Sequence, residues 1–255
     1  MDESKAIQIS DNDRNWDPYG IVKTGIKTLD TLFAEGGYPK NDAILVMGGP
    51  GCGKTIFGLQ YVYKGALDYD EPGIFLALQE RPEKLKRVMK SFGWEVDALE
   101  RNNKLKFIDA TTPRIRNSDI ERDIMERGFD IDTIFRYLAD TVKSMGAKRV
   151  VIDSLSMMSL YAETDFQTRT KLLSISSILS DLDITSLIIS EVYSPDNALP
   201  AFTPEAFMFD GLVHLSLDPT SQLRRIGIRK MRGAKHAIGT FCFEIAGEAG
   251  IVIKA

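Results

Sequence analysis

The sequence predicts an α/β fold: a mostly parallel central sheet flanked by helices, with antiparallel strands added near the C-terminus. Three observations carry this. Short apolar runs alternate with segments of helical periodicity from Gly25 to about Ser190. A glycine-rich loop stands at the first clear strand-to-helix junction. After residue 210 three strand-like runs follow one another with no helix between them. Alternating strands and helices bury both faces of a parallel sheet, whereas consecutive strands form hairpins.

Element by element, Ala43–Met47 is an apolar run closed by glycines and reads as a buried strand. Thr55–Leu67 follows as a helix with Ile56, Leu59, Tyr63, Ala66 and Leu67 on its apolar face. Ile74–Leu78 is the next strand, and Glu83–Phe92 the next helix, through Leu85, Val88, Met89 and Phe92. Leu105–Ile108 is a strand. Ile131, Ile134, Phe135, Leu138, Val142 and Met145 mark an amphipathic helix. Arg149–Asp153, a helix near 168–182 and the strand Ser186–Ser190 complete the alternation. Gly211–Leu217, Arg224–Lys230 and Thr240–Ile245 are expected to extend one edge as antiparallel hairpins. Residues 1–20 are polar and acidic and read as an arm, either disordered or docked. Residues 21–255 read as a single domain, interrupted by a charged insertion at 111–130. The arm and the insertion are the segments available to a protein partner.

Bulk properties narrow the function. The 255 residues suffice for one α/β domain with a full core. A net charge of −4 gives no general attraction for nucleic acid. No apolar run approaches the length of a membrane span, and two cysteines make no disulfide framework, so the expected setting is the cytoplasm.

Gly48-Gly49-Pro50-Gly51-Cys52-Gly53-Lys54-Thr55 fits the pattern G-x-x-x-x-G-K-[ST]. Glycines let the backbone curl until several N–H groups face one anion, and the helix beginning there aims its positive end at the same point. Lys54 is placed for the β- and γ-phosphates of a nucleoside triphosphate, and the Thr55 hydroxyl for Mg²⁺. Gly49 through Ile56 are the expected nucleotide-binding residues, with Cys52 at a variable position. Arg149–Asp153 is an apolar strand ending in a carboxylate, suited to holding Mg²⁺ through water opposite Thr55.

With these motifs in order, the chain resembles the RecA-superfamily ATPases of KaiC type, related to the cyanobacterial clock protein and to archaeal recombinase paralogues. Gly25-Ile26 with Leu29-Asp30, then Gly36-Gly37-Tyr38-Pro39, look like that family's lead-in. Ser91-Phe92-Gly93-Trp94, Ile152-Asp153-Ser154 and Lys230-Met231-Arg232-Gly233 with His236 look like its later phrases. The resemblance spans about Gly25 to Lys254 and covers one domain. It implies a RecA-like P-loop fold, ATP and Mg²⁺ as cofactors, and ATPase activity.

It also implies roles residue by residue. A carboxylate after the second strand polarises the attacking water, and Glu80 is the expected general base. Gln79 departs from the acidic pair common there; an amide takes no proton at neutral pH. If Gln79 holds the true base position, the chain is an ATP-gated switch rather than an efficient hydrolase. Ser190, in the pair Ser190-Glu191, is the expected γ-phosphate sensor; an ordinary strand-end polar pair is the plain alternative. Lys230 and Arg232, two apart on a strand, are expected to reach a neighbouring subunit's nucleotide like an arginine finger. That requires a homo-oligomer, a hexamer by resemblance. The plain alternative is a solvated basic face beside Arg224, Arg225 and Arg229.

Two further activities are weighed against the residues. Recombinase-like DNA binding needs cations in loops 157–170 and 192–204, where Arg169 is the one basic residue. Autophosphorylation of the clock type needs a hydroxyl pair where this chain has Ala206-Phe207.

Overall fold

In the computed structural model the described residues are 20–111, 131–156, 165–191 and 204–254. The charged insertion beyond residue 111, the arm before residue 20, and most of both candidate DNA loops lie outside them. Among the described residues, nine strands form one sheet and two more form a small antiparallel ribbon.

The ribbon pairs β1 (Ile21–Val22) with β2 (Tyr38–Pro39) around the short helix α1 (Lys27–Asp30). Then come β3 (Ala43–Gly48), α2 (Lys54–Asp68), β4 (Gly73–Ala77), α3 (Pro82–Ser91), α4 (Val96–Arg101) and β5 (Leu105–Asp109). The helix Ile131–Met145 leads to β6 (Arg149–Asp153), and the helix Asp165–Ser180 to β7 (Thr185–Glu191). A short helix, Pro204–Met208, precedes β8 (Gly211–Leu217), β9 (Arg224–Met231), β10 (Phe241–Ala246) and β11 (Gly250–Ile253). The sheet order is β11-β10-β9-β8-β3-β7-β6-β4-β5.

The central strands are apolar on both faces because both faces are covered. Ile44 and Val46 of β3, Val151 of β6, and Leu187 and Ile189 of β7 belong to the core under α2. Leu45 and Met47, Val150 and Ile152, and Ile188 belong to the core under the helices Ile131–Met145 and Asp165–Ser180. Each buried Leu or Ile removed from water stabilises the fold by about 1.5–3 kcal/mol. This alternation fixes which strand-end side chains face the phosphate loop.

Three sequence expectations change. β8 runs parallel to β3, with Leu215 beside Gly48, and belongs to the parallel body rather than to the antiparallel extension. The segment before it returns the chain to the starting end of the sheet, so the antiparallel pairing begins only at β9. A further strand, β11, closes the edge by pairing with β10. Finally, Leu67 is 51% exposed, whereas Gln60 is buried. The Gln60 amide donates to Gly25 O at 3.1 Å and accepts from Ile251 N at 2.7 Å, tying α2 to β11. A polar side chain sits in the core there because backbone groups satisfy it.

Candidate nucleotide site

The site lies beyond the C-terminal ends of the parallel strands, where ligands of open α/β sheets bind. The loop between β3 and α2 turns sharply at Gly53, whose φ of +105° favours glycine. A Cβ there would also stand 3.3 Å from Ile245 Cδ1. The following residue opens α2, so the helix N-terminus faces the cleft. Lys54 is buried, and its ammonium donates to Gly48 O at 2.8 Å and Gly49 O at 2.9 Å. Its charge is thereby held inside the curl of the loop.

Thr55 Oγ1 donates to Asp153 Oδ2 at 2.8 Å. Asp153 is 5% exposed, and its carboxyl is pushed up to about 6. Burial is the main cause, and the nearby Glu80 and Glu191 carboxylates add to it, while the Thr55 hydrogen bond and Lys54 oppose it. A hydroxyl and a buried carboxylate in contact are hard oxygen donors, and excess negative charge around them suits a divalent cation. These residues fit Mg²⁺.

A cleft of about 660 Å³ opens over this pair. Pro50, Gly51, Gly53, Lys54, Thr55 and Ile56 line it, with Gln79, Glu80 and Asp153 across from them. Cys52 is fully buried, and burial pushes its thiol up. It packs within the loop rather than toward the cleft. Glu80 Oε1 is held by Lys84 Nζ at 2.5 Å.

Ser190 and Glu191 separate by the pleat. Glu191 lies two residues beyond Ile189, on the α2 side of the sheet, and lines the cleft. Ser190 is buried and lies on the opposite face by the same alternation. Glu191 is therefore the member of this pair that lines the cleft. Arg224 and Ile245 also line the cleft. Arg224 Nε is buried with no hydrogen-bond partner. Its nearness to the loop follows from β9 returning antiparallel along β8, a pairing with no local signature in the sequence.

Lys230 and Arg232 lie at the other end of the sheet. Met231 pairs with Gly211, and Gly211 with Ile44, whereas the phosphate loop follows Gly48. They therefore do not reach their own protomer's cleft. Lys230 Nζ donates to Phe209 O at 2.5 Å and Ala206 O at 3.1 Å. Arg232 Nη1 pairs with Asp210 Oδ1 at 3.2 Å, and Nη2 donates to Phe207 O at 3.1 Å. Asp42 lies in the same cluster, its carboxyl raised to about 7 by burial and then by Asp210. His236 bridges to Phe33 nearby.

A family model described as "ATPase: KaiC" matches residues 22–255. The chain belongs to the KaiC-type ATPase family. A UPF0273 protein of Thermotoga maritima is 37% identical over 235 residues, covering 91% of this chain and 95% of that protein. A UPF0273 protein of Aeropyrum pernix is 35% identical, covering 91% and 92%. The circadian clock oscillator protein KaiC of Prochlorococcus marinus is 30% identical over 92% of this chain and 45% of its own length. The crystal structure of a KaiC-like protein from Pyrococcus horikoshii superposes with a TM-score of 0.79 at 35% identity, covering 93% of this chain and all of that one. As a KaiC-type ATPase domain, the chain carries the family's nucleotide-binding architecture. Among the described residues no helix is long and apolar enough to cross a membrane.

Proposed function

We propose that this chain binds Mg²⁺-ATP and hydrolyses it slowly at the interfaces of a homo-oligomer, a hexameric ring by analogy with the clock protein. The observation that carries the reading is the Thr55–Asp153 pair at the mouth of a phosphate loop whose lysine is already held inward. Loop N–H groups and Lys54 bind the β- and γ-phosphates, and Thr55 and Asp153 hold the metal. A Mg²⁺ ion held there would supply positive charge to the phosphates. A cleft carboxylate orients the attacking water, and Glu80 and Glu191, which both line the cleft, are the candidates. Arg224, with a buried unpartnered Nε, contributes a cation from the same protomer.

Lys230 and Arg232 complete a neighbour's site. Their position at the end of the sheet remote from their own loop supports a role in trans. The single domain, residues 21–255, is then one ring subunit. Free Cys52 and Cys242 fit a reducing cytoplasm. A regulatory role, with assembly as the output, fits slow turnover.

Gln79 favours a second reading, an ATP-gated assembly switch with little hydrolysis. Light scattering with and without Mg²⁺-ATP, with phosphate release from the same fractions, separates the two. A ring that releases phosphate supports the interface ATPase; a ring that retains ATP supports the switch; a monomer in every condition overturns both.

A further inference from the structure

Register places Glu191 at the cleft, level with the root of the phosphate loop. In β7 it pairs with Gly48, the residue from which the phosphate loop springs. On the other side Asp153 pairs with Ile189, so Glu191 extends two residues farther out than the metal carboxylate. It stands between the two strands that carry the phosphate loop and the metal aspartate, on the face shared with α2. A side chain there lines the cleft together with Lys54, Thr55 and Asp153.

The Glu191 carboxylate is also held. Gln79 Nε2 donates to Glu191 Oε1 at 3.5 Å. Ser154 Oγ donates to Gln79 Oε1 at 3.4 Å. The carboxylate fixes which end of the amide faces which partner, because a reversed amide would set its oxygen against an acceptor-only group, and the Ser154 hydroxyl then donates to the amide oxygen. Ser156 Oγ accepts from the Glu191 backbone N–H at 2.8 Å, fixing the chain at this residue. Glu80, in contrast, has Oε1 committed to Lys84 at the start of α3.

We infer that Glu191 is the carboxylate that orients and deprotonates the attacking water, and that Gln79 is its positioning residue. The inference rests on the hydrolytic reading above. Water oxygen forms the new bond to the γ-phosphorus, and its proton passes to the Glu191 carboxylate. The bond from the γ-phosphorus to the β–γ bridging oxygen breaks, and the electron pair leaves with ADP. Glu191 then releases the proton to solvent. The acidic position lost at Gln79 is thus supplied from a neighbouring strand end, and Gln79 becomes its tether.

The test compares Glu191→Gln, Glu80→Gln and Gln79→Ala in the full-length protein, measuring phosphate release, ATP affinity with Mg²⁺, and thermal unfolding. Loss of a general base costs about 10²–10⁴ in rate. Glu191→Gln is expected to lower kcat at least ~100-fold at nearly unchanged ATP affinity. Gln79→Ala is expected to lower kcat about tenfold with KM unchanged, since it disturbs orientation alone. It also serves where Glu191→Gln folds poorly. Glu80→Gln is expected to cost no more than about tenfold. A larger loss in Glu80→Gln than in Glu191→Gln overturns the assignment while leaving hydrolysis intact. Wild-type protein that binds Mg²⁺-ATP yet releases no phosphate overturns the hydrolytic reading itself, and this assignment with it.

Discussion

The Thr55 hydroxyl donates to Asp153 Oδ2 at 2.8 Å, joining residues 98 apart in sequence. Parallel strands two places apart in the sheet, β3 and β6 with β7 between them, end at the same level and bring the two together. The variant Asp153→Asn keeps a hydrogen-bond acceptor of the same shape and removes the charge. It is expected to abolish the tightening of ATP binding by Mg²⁺ and to lower turnover at least ~100-fold, a loss typical of removing a key electrostatic group. Titration calorimetry with and without Mg²⁺ checks the first, and phosphate release the second.

Gly53 combines a left-handed φ of +105° with a close apolar neighbour, Ile245. An alanine there costs about 1–2 kcal/mol in backbone strain alone. Gly53→Ala is expected to lower the melting temperature by several degrees and to weaken ATP binding about tenfold or more, because the loop relaxes away from its phosphate-facing curl. Retention of wild-type affinity would show that the loop reaches its binding shape without this conformation.

The Asp42 carboxyl is raised from 3.8 to about 7, chiefly by burial and then by Asp210, with Arg232 acting the other way. Its Oδ2 is buried with no hydrogen-bond partner. The folded chain therefore holds a proton at Asp42 that the unfolded chain gives up near pH 4. Across pH 4 to 7 the unfolded state binds fewer protons, so this group's contribution to stability falls as pH rises. Asp42→Asn removes that loss. The variant is expected to match wild type near pH 4.5 and to exceed it by about 1–2 kcal/mol at pH 8, allowing for partial solvent screening. Urea unfolding at the two pH values measures the difference.

The phosphate loop was legible in the sequence because its chemistry is contained in consecutive residues, Gly48 to Thr55. Asp153 was legible because an apolar strand ending in a carboxylate is also local. Glu191 was half legible. The alternation Leu187, Ile189, Glu191 is plain, but which face lies under α2 depends on where the helices pack. Ser190 and Glu191 part to opposite faces for that reason alone. Arg224 carries no local signal; an antiparallel return along β8 brings it to the loop. Leu67 was placed in the core by a stripe drawn one residue too wide, and Gln60 escaped because its partners come from β11, a strand too short to stand out.

Arg149 is fully buried at the start of β6, packed on the Tyr61 and Tyr69 rings and paired with Glu71. Its Nε donates to Glu71 Oε2 at 2.6 Å, and Nη1 to Tyr61 O at 3.1 Å. Removing one partner of a buried pair strands the other charge, which costs about 3–5 kcal/mol in full burial. Glu71 is partly exposed, so Glu71→Ala is expected to cost about 2–3 kcal/mol, less than that limit. The double variant Glu71→Ala with Arg149→Met is expected to recover part of the loss, because it removes the stranded charge while keeping bulk beneath the tyrosines. Denaturant unfolding of the three variants decides; a double variant no better than the first would mean that the Arg149 contacts to Tyr61 and Tyr69 dominate over its charge.

Lys230 and Arg232 differ in what their removal reports. Lys230 ties two carbonyls of the turn before β8, so Lys230→Ala would disturb the fold as well as any site it serves. The Arg232 side chain is 57% exposed and its ion pair with Asp210 is a surface one, worth little in stability. Arg232→Ala is therefore the clean variant. If it acts on a neighbour, turnover falls about 10³-fold, as for other arginine fingers, with unfolding unchanged. Mixing supplies the sharper test. Lys54→Ala subunits have a defective loop and an intact Arg232, and Arg232→Ala subunits have the reverse. Mixed rings contain interfaces where an intact loop meets an intact arginine, so phosphate release should reappear in the mixture although each variant alone is inactive. A mixture that assembles and stays inactive would place Arg232 outside the site, and the basic end of β9 would then be a solvated face.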